Sequence, residues 1–301
     1  MEVLSFGSVD ALQLFLLKEL YSGGEIISTR ELKTLEICNV NICLSDPRNR
    51  ATNNPARNWN HPLAIGEFAW HISGSNDLDF ITYYAKQWQE FSTDGKLIHE
   101  SCYGHKIFSD LEEKESQWNR LVKLLRQDSF SRRAVLNLYD SSNGLNYFSK
   151  DIACACTIQF LVRNNKLDAI MNMRSNDLIW GLPYDVFLFT MLQEMLALEL
   201  GCELGKYYHN VGSLHIYERH FILGEQMLKS KDFDSLPMYH MEDISSINTF
   251  LENEEKIRKC QISENEIFGL NINSYWKNLL LSLMELRNKK DMKTNSQKSL
   301  S

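Results

Sequence analysis

The chain has 301 residues, 44% of them hydrophobic, with 15 Phe, 12 Tyr and 6 Trp, enough to bury one large core or two modest ones. Its formal net charge of −7 excludes a chain-wide basic footprint for nucleic acid and leaves room only for a local basic pocket. Seven cysteines are too sparse and too odd a count for a secreted disulfide scaffold, so a reducing cytoplasm is expected. No run approaches the roughly twenty apolar residues that span a bilayer. Met1 to Leu20 carries Glu2, Asp10, Lys18 and Glu19 where a signal peptide has a basic start and a small-residue cleavage site. A soluble, cytoplasmic protein is the expectation.

Helical spacing of Leu and Phe predicts an amphipathic helix over 9–21, stopped by Ser22-Gly23-Gly24. Alternation at period two predicts a half-buried strand over 34–44. The polar stretch from Ser45 to Pro62, with Arg48, Arg50 and Arg57, is a loop long enough to ask for a functional explanation. Helices are expected over 63–73, 77–91 and 114–127, and a strand over 133–139. Strands over 154–163 and 167–174 flank Asn164-Asn165-Lys166, a hairpin turn signal. A long helix over 184–201, closed by Gly201, places Met191, Leu192, Met195, Leu196 and Leu198 at core spacing. A last strand over 207–216 and a helix over 217–229 follow. The Lys-, Ser-, Asn- and Gln-rich end, 288–301, is expected to be disordered. With no internal repeat and no Pro/Gly/Ser linker, residues 1–287 are expected to form a single domain of mixed α and β structure.

Cys154 precedes a strand, and Arg174 ends the next one. A thiol beside a fixed guanidinium ionises more readily, and the thiolate is the nucleophile, although a free cysteine is ordinarily an inert core residue. Cys156 shares strand parity with Cys154, so both are expected on one face; without a second Cys or His cluster at ligand spacing the pair is weak as a metal site. Ser131-Arg132-Arg133 and Arg174-Ser175 offer forked donors for a phosphate. His215 and Tyr217 stand at a strand end, where they suit a sugar. Glu67 interrupts an apolar helix, and a carboxylate buried there must be paired or protonated. Gly181-Leu182-Pro183-Tyr184-Asp185 ends a turn on a carboxylate. The dinucleotide fingerprint, the phosphate-binding Gly-Lys-Ser loop, the nucleophile elbow and the His-Glu-x-x-His motif are all absent from the sequence.

Taken together, these segments resemble the thymidylate synthase superfamily from about Arg30 to Phe221. Glu67-Phe68-Ala69-Trp70 through Gly74-Ser75 resembles the family's helix motif, Tyr103-Gly104 its active-site Tyr-Gly, and Asp128 to Arg133 its phosphate element with one residue inserted. Cys154, five residues before Gln159, is similar in position to the family's nucleophile. Arg174-Ser175-x-Asp177 with Gly181-Leu182-Pro183, and Gly212-Ser213-x-His215-x-Tyr217, resemble the central and sugar-binding signatures. The resemblance implies an α+β fold with a large mixed β-sheet flanked by helices, and a homodimer with shared sites. It implies methylenetetrahydrofolate as one-carbon donor and a pyrimidine nucleoside monophosphate as substrate, with neither a membrane nor a nucleic acid required. It also implies roles: Cys154 as nucleophile; Glu67, Tyr103 and Asp177 in water and proton ordering; Arg174, Ser175, Arg30 and a partner's Arg132-Arg133 pair around phosphate; His215 and Tyr217 on the sugar.

The chain departs from thymidylate synthases in having Asp185 for Asn, Ala155 for His after the nucleophile, and Met173 for Gln before the phosphate-binding arginine. In this it resembles the cytidylate hydroxymethylases, which act on CMP or dCMP. Uracil offers a ring N–H and a carbonyl, which an Asn amide satisfies; cytosine offers a ring acceptor and an amino donor. A carboxylate accepts from the amino group and, with one shared proton, also satisfies the ring nitrogen. Since an unpaired buried donor or acceptor costs about 1–3 kcal/mol, Asp185 is expected to favour cytosine by roughly tenfold or more. Thymidylate synthesis on dUMP and a non-catalytic nucleotide-binding role are the alternatives.

Overall fold

The computed structural model describes residues 3–29, 32–110 and 115–298. Arg30 lies outside them. Among the described residues the chain builds a seven-stranded mixed sheet in the order β1-β3-β7-β6-β5-β4, with β2 paired to β3. The strands are β1 (Leu4–Phe6), β2 (Glu25–Thr29), β3 (Leu32–Leu44), β4 (Val135–Asn137), β5 (Ala155–Arg163), β6 (Lys166–Asp177) and β7 (Glu203–Tyr217). β1 with β3 and β6 with β7 are parallel, and the other pairs are antiparallel. This is the mixed, helix-flanked α+β architecture expected from the sequence.

Local chemistry sets the joints. Asn164 and Asn165 both take left-handed backbone angles, φ 50° and 58°, as a two-residue hairpin turn demands, and this fixes the β5–β6 register. A parallel partner for β6 requires a crossover, supplied by α7 (Gly181–Leu200). α7 ends on Gly201 at φ 70°, a left-handed cap. Met191, Leu192, Met195 and Leu196 are buried in the core, as their spacing predicts.

α1 (Val9–Gly23), α2 (His61–Ile72), α4 (Tyr103–Phe108) and α5 (Gln117–Gln127) complete the layer around α7. The opposite sheet face carries Thr157, Gln159, Ile170, Asn172, Tyr208 and Asn210, which are only half-buried. The helix predicted over 77–91 is two pieces, α3 (Leu78–Tyr84) and a 3₁₀ turn over Lys86–Glu90, because Ala85 is extended. The strand predicted over 133–139 shortens to three residues, and the short edge strands β1 and β2 were not anticipated.

The loop over 45–62, whose length asked for an explanation, is tied into the core by hydrogen bonds and ion pairs. Asp10 on α1 accepts hydrogen bonds from the Asn53 and Asn54 amides and from the Thr52 hydroxyl. Arg50, fully buried, is paired with Glu194 of α7, which Arg48 also reaches at 2.7 Å. The chain end departs from expectation as well. After α6 (Ser141–Gly144), α8 (Phe221–Lys229), α9 (Ile247–Arg258) and α10 (Glu264–Phe268), the helix α11 runs Ser274–Lys298, through much of the segment expected to be disordered. Its Leu279, Leu280, Leu283 and Met284 are buried, and Arg287 donates to the Ile262 carbonyl. A helix so anchored extends into polar sequence that would not fold alone.

Candidate active site

A cavity of about 850 Å³ opens at the ends of β3, β6 and β7 and is walled by α2, α4 and the start of α7. It gathers Glu67, Tyr103, Cys154, Arg174, Ser175, Asp177, Asp185, His215 and Tyr217. Arg132 and Arg133 are exposed and do not line it.

Cys154 stands just ahead of β5, where a bulge between Ala155 and Thr157 interrupts pairing with β6. The carbonyl of Cys156 there accepts from both Leu138 and Tyr139. The bulge breaks the simple strand parity assumed for the two cysteines: Cys154 lines the cavity and Cys156 does not. Arg174 leans along the same edge. Its Nε donates to the Ala153 carbonyl at 2.9 Å, and Nη2 donates to the Ile152 carbonyl at 3.2 Å and reaches the Cys154 sulfur at 3.6 Å. Arg174 lines the cavity, so a guanidinium fixed by these carbonyls is available there to an anion. Burial pushes the Cys154 thiol up to about 11, against the pull of Arg174.

Three further titratable groups are held under similar desolvation. Burial raises the Glu67 carboxyl to about 8; the Trp88 indole, donating to it at 3.1 Å, opposes this, and the Asp185 charge adds to it. Burial raises Asp185 to about 7, with the Asn176 amide opposing and Asp177 adding. Burial holds the Tyr103 hydroxyl well above its ordinary value. That hydroxyl accepts from the Ala155 amide at 3.3 Å, and the ring stacks on His71. Two carboxyls poised near neutrality beside a nucleophile are the mark of a proton-handling site.

His215 and Tyr217 lie on β7, opposite Glu36 and Thr34 of β3, and His215 is also opposite Asp177 of β6. Asp177 accepts from the Ile179 amide at 2.9 Å, closing the turn that starts α7.

Sequence reasoning missed several lining residues. Trp88 carries no local signal as Glu67's partner twenty-one residues on. Asn176, inside the Arg174–Asp177 motif, donates to Asp185 at 2.7 Å. Glu36 and Ser213, hydrogen-bonded to each other, line the cavity beside His215. The Arg57 guanidinium stacks on Trp180 at 4.3 Å from the ring centre. Trp88, Trp180 and Leu188 supply flat apolar walls. Among the described residues no group of three or more His, Cys, Asp or Glu side chains is arranged for a metal ion, and no helix is long and apolar enough to cross a membrane.

The sequence profile described as "Thymidylate synthase" matches residues 29–267. Deoxyuridylate hydroxymethyltransferase of Bacillus phage SP01 is 30% identical over 216 residues, 68% of this chain and 56% of that protein; the chain thus spans just over half of that relative. Deoxycytidylate 5-hydroxymethyltransferase of Enterobacteria phage T4 is 28% identical over 244 residues, 75% of this chain and 96% of that protein. In fold, the chain is similar to the thermostable thymidylate synthase A from Bacillus subtilis, with a TM-score of 0.64, 23% identity, and 75% of this chain and 85% of that one covered.

Proposed function

The chain belongs to the thymidylate synthase family, enzymes that transfer a one-carbon unit to a pyrimidine nucleotide, and from that premise we propose that it hydroxymethylates carbon 5 of a cytidine monophosphate, CMP or dCMP. The observation that carries the choice of base is Asp185, a carboxyl facing the cavity from the start of α7 with Asn176 donating to one of its oxygens.

The proposed chemistry follows from the residues. Cys154 loses its proton and adds to carbon 6 of the ring, so that carbon 5 becomes nucleophilic. Burial holds the thiol neutral, so the thiolate forms only as it attacks, with Arg174 as the adjacent cation. As carbon 6 is attacked, negative charge builds toward ring nitrogen 3. Asp185 then holds a proton between its carboxyl and that nitrogen, a bond stronger in the adduct than in the free base, and therefore catalytic. Glu67, poised near pH 8, relays protons through water, and Tyr103 fills the wall behind the nucleophile. Arg174 and Ser175 hold phosphate, and His215 and Tyr217 hold the sugar.

Methylenetetrahydrofolate, when bound, supplies the one-carbon unit at the oxidation level of formaldehyde. The lining suits it: Trp88, Trp180 and Leu188 offer apolar faces for a flat heterocycle next to the Asp177 carboxylate. Loss of the carbon-5 proton, addition of water to the transferred carbon and expulsion of the Cys154 thiolate from carbon 6 complete the hydroxymethyl nucleotide; the donor leaves as tetrahydrofolate, without the folate oxidation that thymidylate synthesis requires. Arg132 and Arg133 enter the scheme as a partner subunit's phosphate ligands, in a homodimer packed through the open sheet face. Arg30 would join the same phosphate site.

The test is release of tritium from carbon 5 of labelled CMP, dCMP and dUMP with methylenetetrahydrofolate, with Cys154→Ala as control, and mass analysis of the product. A hydroxymethyl cytidylate formed without dihydrofolate is the expected result. Release from dUMP alone with dihydrofolate formed would make the protein a divergent thymidylate synthase. A hydroxymethyl uridylate would remove the role given to Asp185, and no release at all would leave a nucleotide-binding protein.

A further inference from the structure

Asn176 is 2% exposed and belongs to a chain of three side chains buried behind the Asp185 carboxyl. Its Nδ2 lies 2.7 Å from Asp185 Oδ2, its Oδ1 lies 3.0 Å from His209 Nε2, and His209 Nδ1 lies 3.0 Å from the Tyr207 hydroxyl. Tyr207 and His209 are each 1% exposed. Burial lowers the His209 ring to about 3 and raises the Tyr207 hydroxyl well above its usual value, so both are neutral. A neutral imidazole has one N–H and one acceptor nitrogen. With the Tyr207 hydroxyl donating to Nδ1, the hydrogen sits on Nε2 and is donated to Asn176 Oδ1. The Asn176 NH₂ then points at Asp185, and the four groups form one directed line of hydrogen bonds.

The direction matters because a carboxyl group is ambiguous. Protonated on one oxygen it presents a donor to ring nitrogen 3 and an acceptor to the amino group of cytosine. Protonated on the other it presents the reverse pattern, which fits uracil equally well. The carboxyl alone therefore does not discriminate as long as its proton is free to choose.

Resting on the proposed reading of Asp185, we propose that Asn176 is the positioning residue that writes the base choice: its donated hydrogen keeps Oδ2 an acceptor, turned to the cytosine amino group, and confines the shared proton to Oδ1, turned to ring nitrogen 3. His209 and Tyr207 hold the amide in that orientation. Asp185 is faced by Asp177 beside Asn176 on β6, Glu67 from α2, Tyr103 from α4, Cys154 ahead of β5 and Tyr207 from β7. Among these groups Asn176 is the one placed to donate to it at hydrogen-bond distance.

The test compares kcat/KM for cytidine and uridine monophosphates from pH 6 to 9 in the full-length wild type, Asn176→Ala, the nearly isosteric Asn176→Asp, and Asp185→Asn. Loss of the Asn176 donor is expected to reduce the cytidylate-to-uridylate ratio about tenfold, the equivalent of one hydrogen bond. It is also expected to move the alkaline limb for the cytidylate to higher pH, because the donor favours the charged carboxylate, and Asn176→Asp should move it further. The carboxyl ¹³C resonance of Asp185, titrated without substrate, reports the same displacement in any variant that folds. Equal losses on both bases with an unmoved limb and an unmoved carbon resonance would overturn the proposal. Asp185→Asn leaving base choice untouched would instead overturn the reading of Asp185 itself, so the two failures are distinguishable.

Discussion

Arg174 Nη2 stands 3.6 Å from the sulfur of Cys154, on a guanidinium pinned by the carbonyls of Ile152 and Ala153. The cation is placed where it favours the thiolate, and still burial outweighs it, leaving the thiol at about 11. Removing the cation should push the thiol higher. In Arg174→Ala, alkylation of Cys154 by iodoacetamide at pH 8.5, followed peptide by peptide because the chain has seven free cysteines, is expected to slow about tenfold, one pKa unit of lost interaction. Arg174→Lys should fall between, since a lysine keeps the charge and loses the fork. Equal rates in all three would show that the guanidinium has no hold on the sulfur.

Glu67 gives a pH-dependent stability with a definite sign. Its folded value, about 8, lies above the ordinary 4.5 because burial disfavours the charge. Below about pH 4.5 both folded and unfolded chains hold the proton, and the site costs nothing. Between there and pH 8 the unfolded chain ionises while the folded one does not, so stability falls with rising pH and levels off above. Glu67→Gln, which never ionises, should melt within a degree of the wild type at pH 4.5 and a few degrees above it at pH 8.5, while losing most activity. A melting difference that is flat across this range would refute the assignment.

What the sequence revealed and what it hid divide along the distance between partners. The Asn164-Asn165 turn and the core stripe of α7 are local patterns, readable from spacing, whereas the order of motifs around Cys154 was legible through the family resemblance. The donor to Glu67 comes from Trp88 in the 3₁₀ turn beyond α3, and the partner of Arg50 is 144 positions away on α7. The loop over 45–62 therefore asked for an explanation that its own residues could not supply, since two of its arginines serve one buried carboxylate on α7. Asn176 was hidden differently. It is the unassigned position of the Arg174-Ser175-x-Asp177 motif, and its partners are Asp185 and, across the β6–β7 pair, His209. The polar end after Asn288 misled because composition describes an isolated segment, whereas the apolar face of α11 upstream anchors the helix.

Gly104 shows how tightly the wall behind the nucleophile is built. A methyl group on it would lie 1.9 Å from the carbonyl oxygen of His71, and its amide donates to the His71 ring at 3.0 Å. Backbone cannot yield as a flexible side chain does, so α4 would have to move away from α2 and carry Tyr103 with it. Gly104→Ala is expected to cost 3 kcal/mol or more, at the upper end of the about 1–3 kcal/mol typical of overpacking, and to depress kcat through the displaced Tyr103. Urea unfolding alongside the tritium-release assay measures both; a loss under about 1 kcal/mol would mean that the two helices are more loosely joined than this contact requires.

Glu194 carries the opposite sign. Burial alone would raise its carboxyl, but Arg50 and Arg48, with the Met241 amide donating at 3.1 Å, bring it down to about 2. The stability it contributes is present above the unfolded value near 4.5 and is lost as pH falls toward 2. Glu194→Gln keeps the shape and removes the charge, leaving Arg50 buried without its counterion, a change that costs about 3–5 kcal/mol in comparable sites. The gap between wild type and variant in urea unfolding should therefore be full at pH 7 and narrow steadily below pH 4.5, because a protonated Glu194 offers Arg50 no more charge than a glutamine does. Since α7 also carries Asp185 at its other end, the variant tests a second point. If the loop over 45–62 only anchors the helix, the cytidylate-to-uridylate ratio of the folded variant stays unchanged while its stability falls. A changed ratio would mean that the Arg50–Glu194 pair sets the position of Asp185 through the length of the helix.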